Sequence, residues 1–346
     1  SAYGVSGPLH MWIAAFLRDR EQYVRIENCL SPTVCVRSGV PQGSVLGPIL
    51  FILYINDVTD ILVDDVSCKL YADDLKLYCP IVPTLGFSES LQTSLDNLCD
   101  WSLKWQLPIN VDKSFFVTIS RNNICNCVHS YRILCSLLTR RFSVDDLGIA
   151  YDCNLCFDNY VNNIASSAKA KVGLLFRSFK TRDPALLKRA YVTYIRPKLE
   201  YASNLWNPFH KTTIAVLENV QRYFTRRIPS LSIFSYEERL AMLNLDTLEK
   251  RRLKSDLVLY YKILHGLSSI PASAFDTYNT CSVSRSKSSL LRKNIAGTQA
   301  CYFSFFNRAV DCWNVLPSSL TDASSLSVFR SRLDMTDLSH YCTVLA

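Results

Sequence analysis

The sequence predicts an α+β fold: a mixed part over residues 1–150, an all-helical part over 151–267, a linker or mobile loop over 268–300 and a small tail unit over 301–346. Three observations lead there. Before Tyr151, helical and strand-like apolar periodicities are interleaved, whereas after it one helical pattern follows another. With 346 residues and 49% apolar side chains, the chain can bury a substantial core, and its length favours two or three domains. Charge divides along the same line. Residues 1–152 carry 12 Lys or Arg against 16 Asp or Glu, a net −4, and residues 153–346 carry 26 against 14, a net +12. Such asymmetry suits a chain that gathers acidic groups for chemistry in one part and meets a polyanion with the other. A solvated basic surface without a ligand would carry the same charges.

Several classes drop out early. The longest apolar run, Val45 to Ile55, is broken by Gly47 and Pro48 and falls short of the roughly 20 residues a spanning helix needs, so no membrane role is expected. The chain opens on Ser1 with no basic segment, apolar core and cleavage site, and it reads as a piece of something longer. Fourteen cysteines scattered through a large apolar chain are expected to be mostly reduced and buried. Cys125, Cys127, His129 and Cys135 lack the spacing of a zinc finger or ribbon, and Cys153 and Cys156 form a C-x-x-C with no second pair.

Element by element, Leu9, Trp12, Ile13, Phe16 and Leu17 recur at helical spacing and predict a helix from Pro8 to Arg18. Tyr23 to Asn28 alternates like a strand, with a return strand over Leu30 to Val36 after a turn near Ser31-Pro32. Gly39, Pro41, Gly43, Gly47 and Pro48 then crowd glycine and proline into ten residues, although the chain has only 10 glycines, so backbone shape governs this segment. Cys68–Ala72 and Leu75–Tyr78 read as a β-hairpin with Asp73-Asp74 at its tip. Ser88 caps a helix to Trp105, ended by Leu107-Pro108, and Phe115 to Ile119 reads as a strand. Helices are then expected near Phe157–Lys180, Pro184–Ile195, Lys211–Ile228, Tyr236–Leu243 and Leu248–His265, the last capped by Gly266. In the third, Ile214, Leu217, Val220, Phe224 and Ile228 form one apolar stripe. An aromatic unit, Tyr302 to Phe329, closes the ordered chain.

Two adjacent carboxylates on a hairpin suit a hard divalent cation, although aspartate also favours turns for backbone reasons alone. Upstream stands Ser38-Gly39-Val40-Pro41-Gln42-Gly43-Ser44-Val45-Leu46-Gly47-Pro48, then Leu50-Phe51 and Tyr54-Ile55-Asn56-Asp57, with Tyr71-Ala72-Asp73-Asp74 following. This ordered pair of motifs resembles the reverse transcriptase palm of non-LTR (LINE-like, jockey-type) retrotransposons. The resemblance covers most of the chain. It implies a partial polymerase palm followed by an all-α thumb, the latter carried by Tyr194-Ile195-Arg196-Pro197-Lys198-Leu199-Glu200-Tyr201-Ala202 and Leu217 to Arg227, with Lys250, Arg251, Arg252 and Lys254 extending its basic character. Phe306, Arg308 and Trp313-Asn314-Val315-Leu316-Pro317 match a recurrent tail.

By position, the resemblance assigns catalytic and metal-binding roles to Asp73 and Asp74, and protonation of departing pyrophosphate to Lys113 within Leu107 to Ser114. It lays Gly39, Pro41, Gln42, Gly43, Tyr71 and Ala72 along template and nucleotide, and puts a primer grip at Leu147-Gly148. The implied activity is RNA-directed DNA synthesis from an RNA template, a DNA primer and deoxynucleoside triphosphates, using two Mg²⁺ ions (or Mn²⁺), inside the cell and in the nucleus. One departure counts against activity of the chain alone. The family places another metal-binding aspartate in a strand before the helix that begins near Pro8, and that strand and the fingers are expected to lie outside this sequence. The expectation is poor polymerisation by this chain in isolation, and the competing reading is a non-catalytic nucleic-acid-binding remnant.

Overall fold

The computed structural model describes residues 3–81, 87–120, 130–277, 290–295 and 297–343, which fall into two compact units. One lies within Ser1–Phe116 and Cys125–Arg140, the other within Val117–Ile124 and Arg141–Ala346. Helices and strands are mixed, as an α+β fold requires. Among the described residues every ladder is two-stranded, six antiparallel and one parallel.

In the first unit, α1 (Gly7–Leu17) is followed by β1 (Arg20–Gln22), which pairs with β4 (Val34–Val36) around an inner hairpin of β2 (Arg25–Ile26) and β3 (Cys29–Leu30). The reversal falls at Glu27-Asn28, with Glu27 at φ +51°, and not near Ser31-Pro32 as the proline suggested. Ser31 instead bridges the strands: its N–H donates to the Val24 carbonyl at 2.9 Å, and its hydroxyl accepts from the Val24 N–H at 2.8 Å. Next come α2 (Gly47–Ile55), β5 (Ser67–Tyr71), β6 (Asp74–Tyr78) and α3 (Glu89–Trp105). Ser88 caps α3 by accepting from the Leu91 N–H at 3.1 Å. A two-stranded hairpin is marginal in water unless a helix covers it. Here Leu77 of β6 packs into the core formed by Leu95 and Cys99 of α3 with Tyr131, Ile133 and Leu138. β7 is only Phe115–Phe116, shorter than the run to Ile119, and pairs in parallel with Thr139–Arg140. A short hairpin, Arg132–Ile133 with Ser136–Leu137, lies beside it in the chain.

The second unit begins with a four-residue ladder, Ser143–Asp146 against Ile149–Asp152. It continues through α4 (Asp158–Ser178), α5 (Pro184–Tyr194), α6 (Arg196–Glu200), α7 (Ser203–Trp206), α8 (Lys211–Arg226), α9 (Tyr236–Leu243) and α10 (Leu248–Leu264). Val161, Ala168 and Val172 of α4 meet Leu217, Val220 and Phe224 of α8 in the main core, where Tyr191 stacks on Phe224 with centroids 4.3 Å apart. Caps fix the ends: Asp183 accepts from Ala185 and Leu186, and Ser235 and Glu238 form a reciprocal capping box on α9.

Polar side chains also lie inside this core. Glu218 is fully buried, accepts the Leu248 N–H at 3.0 Å and the Tyr236 hydroxyl, and burial raises its pKa. Gln221 accepts from the Tyr191 hydroxyl at 3.1 Å and donates to the Tyr236 hydroxyl at 3.1 Å and the Asp246 carbonyl at 3.0 Å. This satisfied network locks α8 to the start of α10.

The opposite face of α10 carries a second core, where Leu257, Tyr260, Tyr261 and Ile263 pack with Phe275, Trp313, Phe329 and Leu333. Residues 301–343 therefore pack on α10 within the same compact unit. The Tyr260 and Tyr261 hydroxyls donate to the Phe305 and Ala323 carbonyls, each at 2.6 Å. Much of the expected 268–300 linker, and Cys125, Cys127 and His129, lie outside the described residues. Among the described residues no cysteine is in a disulfide, but only Cys99, Cys312 and Cys342 are buried, while Cys29, Cys35, Cys135, Cys156 and Cys301 are exposed. The expectation of mostly buried thiols is corrected accordingly: many of these cysteines lie on short strands, loops and helices with an open face.

Candidate active site

The glycine-rich segment forms an irregular loop held by backbone contacts. Gly39 and Gly43 take φ of +75° and +79°, a region other residues rarely enter. Arg20 braces the loop, donating through Nη2 to the Gly39 and Ser38 carbonyls at 2.7 and 3.2 Å and through Nε to the Leu17 carbonyl at 3.0 Å. Ser44 closes the other end: its hydroxyl donates to the Pro41 carbonyl at 2.7 Å and accepts the Gly47 N–H at 3.0 Å. Gln42 and Gly43 are left exposed, and Pro41 is half-buried. At Gly47 an added Cβ would lie 2.8 Å from the Pro41 oxygen and 2.9 Å from Ser44 Oγ. Gly47→Ala should cost about 1–3 kcal/mol through that overlap. A urea-denaturation midpoint equal to that of the parent would refute so tight a loop.

The Tyr71–Asp74 hairpin pairs Tyr71 with Asp74 as the last rung of the β5–β6 ladder. The two turn residues are therefore Ala72 and Asp73, while Asp74 is the first residue of β6. This moves the expected tip by one position. Ala72 holds φ +52°, an uncommon conformation for alanine that costs of order 1–3 kcal/mol and persists only where surrounding structure imposes it. Tyr71, Asp73 and Asp74 are exposed, and neither carboxylate makes a hydrogen bond or ion pair among the described residues.

Lys113 ends a single 3-10 turn, Val111–Lys113, its N–H donating to Asn110 Oδ1 at 3.2 Å and its side chain exposed. The loop, the hairpin and Lys113 share the first unit, but no hydrogen bond or ion pair joins them among the described residues. Leu147 and Gly148 belong to the second unit and form the two-residue turn of their hairpin, with φ of +49° and +80°. Positive φ at both positions matches the twist that tight hairpins need. The Tyr201 hydroxyl donates to the Leu147 carbonyl at 3.1 Å, a brace that spacing did not reveal. Arg20 was missed too, although it lies 18 residues before the loop that it ties down. The Tyr54–Asp57 motif anchors α2 to α3: the Tyr54 hydroxyl donates to the Trp105 carbonyl at 2.5 Å, and Trp101 Nε1 donates to Asp57 Oδ1 at 3.0 Å.

Two exposed carboxylates match a hard divalent cation in donor type. Among the described residues no group of three His, Cys, Asp or Glu that could hold a metal ion is found. Among the described residues, too, no helix is long and apolar enough to cross a membrane.

Residues 2–159 match the family described as reverse transcriptase (RNA-dependent DNA polymerase). The chain is 27% identical over 233 residues to the RNA-directed DNA polymerase from mobile element jockey of Drosophila funebris, covering 65% of this chain and 25% of that protein. It is 25% identical over 237 residues to the probable RNA-directed DNA polymerase from transposon X-element of Drosophila melanogaster, covering 64% and 25%, and 25% identical over 255 residues to that from transposon BS, covering 70% and 28%. No solved structure matches. The chain thus aligns with about a quarter of the length of these relatives. Residues 2–159 carry the likeness to reverse transcriptases, and the curated relatives are RNA-directed DNA polymerases of mobile elements.

Proposed function

We propose that the chain is the later part of a polymerase palm with its thumb, working within a longer RNA-directed DNA polymerase. The observation that carries this reading is the Tyr71–Asp74 hairpin, which presents two exposed carboxylates, unpaired among the described residues, one from a strained turn and one from the strand that follows, in the same unit as a glycine loop with open backbone. Asp73 and Asp74 would hold Mg²⁺ or Mn²⁺, with further ligands from outside the described residues. Such a cation, when bound, neutralises charge on the reacting phosphates. Gly39, Pro41, Gln42, Gly43, Tyr71 and Ala72 would lie along the template and the incoming deoxynucleotide, where backbone without side chains can approach a sugar or base. Lys113 would give a proton to departing pyrophosphate. The Leu147-Gly148 turn would support the primer terminus, and Tyr201 would set its position.

The helical unit would grip the backbone of the template–primer duplex without reading sequence. Arg222 on α8 and Arg227 just past its end are exposed and seated over the Tyr236 and Phe176 rings at 4.8 and 4.9 Å, which orders cations at the surface. The reaction would take place in the nucleus. With only two carboxylates gathered, the isolated chain should extend a primer poorly.

Primer extension on an RNA template, comparing the chain alone with the chain within a full-length polymerase of its element, tests this. The expected result is Mg²⁺-dependent synthesis by the full-length protein and little by the chain. Nucleic-acid binding without synthesis by the full-length protein would favour a non-catalytic remnant.

A further inference from the structure

The basic residues of α10 do not form the solvated patch that their sequence suggests. Arg252 is 1% exposed. Arg251 pairs with Glu200, and Lys254 reaches Asp246 and Asp334 at 2.7 and 2.9 Å. Arg251, Arg252, Lys254, Glu200, Asp334 and Arg330 line a cavity of about 370 Å³ within the second unit. That size falls at the small end of ligand pockets, roughly 300–1,000 Å³.

Its charge is unbalanced in a specific way. Arg251 pairs with Glu200 and Lys254 with Asp334, whereas Arg252 and Arg330 make no ion pair among the described residues, Arg252 lying in the field of Glu218 and neighbouring carboxylates. Arg252 Nε donates to Asn207 Oδ1 at 2.8 Å, but Nη1 and Nη2 are buried with no hydrogen-bond partner. Burial pushes its pKa down from the usual guanidinium value, though Glu218 and other nearby carboxylates oppose that shift. A buried guanidinium with two idle nitrogens is costly, and such groups are normally found against an anion, a carboxylate or water. Arg330 is exposed and makes no ion pair among the described residues.

We propose that this cavity is a phosphate-binding site, with Arg252 as its buried donor and Arg330 as the outer one. A phosphate carries several acceptor oxygens, which match the open forked donors of the two guanidinium groups. Asp334, 71% exposed at the cavity edge, opposes any anion and sets a modest affinity. The phosphate could be free or part of a nucleic-acid strand. The site does not depend on the polymerase reading, because it uses no residue of the hairpin or the glycine loop.

Titration of the chain with inorganic phosphate at constant ionic strength, followed by calorimetry and by thermal unfolding, provides the test. Saturable binding is expected. Arg330→Ala should weaken it about tenfold, the loss of a charge-assisted contact, and Asp334→Asn should strengthen it severalfold. Both positions are exposed, so folding is preserved, and Arg252→Gln serves as a third variant where it folds. No saturable binding, or equal affinity in Arg330→Ala and Asp334→Asn, would overturn the proposal. Competition between phosphate and a short single-stranded oligonucleotide, lost in Arg330→Ala, would place a strand's phosphate there. Phosphate binding with no effect on the oligonucleotide would assign the site to free phosphate.

Discussion

Asp256→Ala should destabilise the second unit by about 3–5 kcal/mol, the usual cost of leaving a buried cation without its partner. Asp256 is 1% exposed on α10 and accepts two hydrogen bonds from Arg308, each at 2.8 Å, and one from Asn204 at 2.8 Å. Removing its carboxylate strands a guanidinium that is itself only 11% exposed. The tail beyond residue 300 would then lose its buried ion pair to α10, keeping the apolar contacts of Tyr260, Tyr261, Trp313 and Phe329, the two tyrosine hydroxyl bonds and the Lys254–Asp334 pair. Denaturant unfolding measures the change. Lys293→Ala is the internal comparison, because its partner Asp311 is 66% exposed and such surface pairs contribute about 0–1 kcal/mol. Similar small losses in both variants would show that the tail is an accessory to the helical unit.

That clamp marks the limit of what periodicity can reveal. The α8 stripe was legible because Ile214, Leu217, Val220 and Phe224 recur at helical spacing and all enter the core. The polar row beside it, Glu218, Gln221 and Thr225, follows the same spacing and is equally buried, yet on sequence it passes for a solvated face. Its partners, Tyr191, Tyr236 and Leu248, sit elsewhere in the chain and come near only once the helices pack. Arg252 and Asp256 were hidden for the same reason: a charged side chain announces its sign but not its partner. Local turns failed differently. Pro32 drew the expected reversal to itself, whereas Ser31 spends both its N–H and its hydroxyl on Val24 and moves the turn to Glu27-Asn28. The carboxylate hairpin could be read because strand-forming runs flank the aspartates, but its rung register was beyond sequence alone.

That register matters for the largest functional effect expected. Asp73→Asn in the full-length polymerase should lower primer extension by at least on the order of 10²–10³-fold, as loss of a preorganised charge at a reacting phosphate does. Asparagine keeps the size of the side chain and tolerates turns, so the hairpin survives. The substituted group is exposed and makes no hydrogen bond or ion pair among the described residues, and stability should change by no more than about 0.5 kcal/mol. Comparing turnover with the unfolding midpoint therefore separates chemistry from folding. Asp74 occupies a strand position opposite Tyr71, and its side chain leaves the hairpin in a different direction from that of a turn residue. Asp74→Asn should still impair synthesis, with raised Mg²⁺ recovering more activity than it does for Asp73→Asn if Asp74 holds the metal less directly. Full activity in Asp73→Asn would remove the hairpin from the chemistry, whatever family the surrounding motifs indicate.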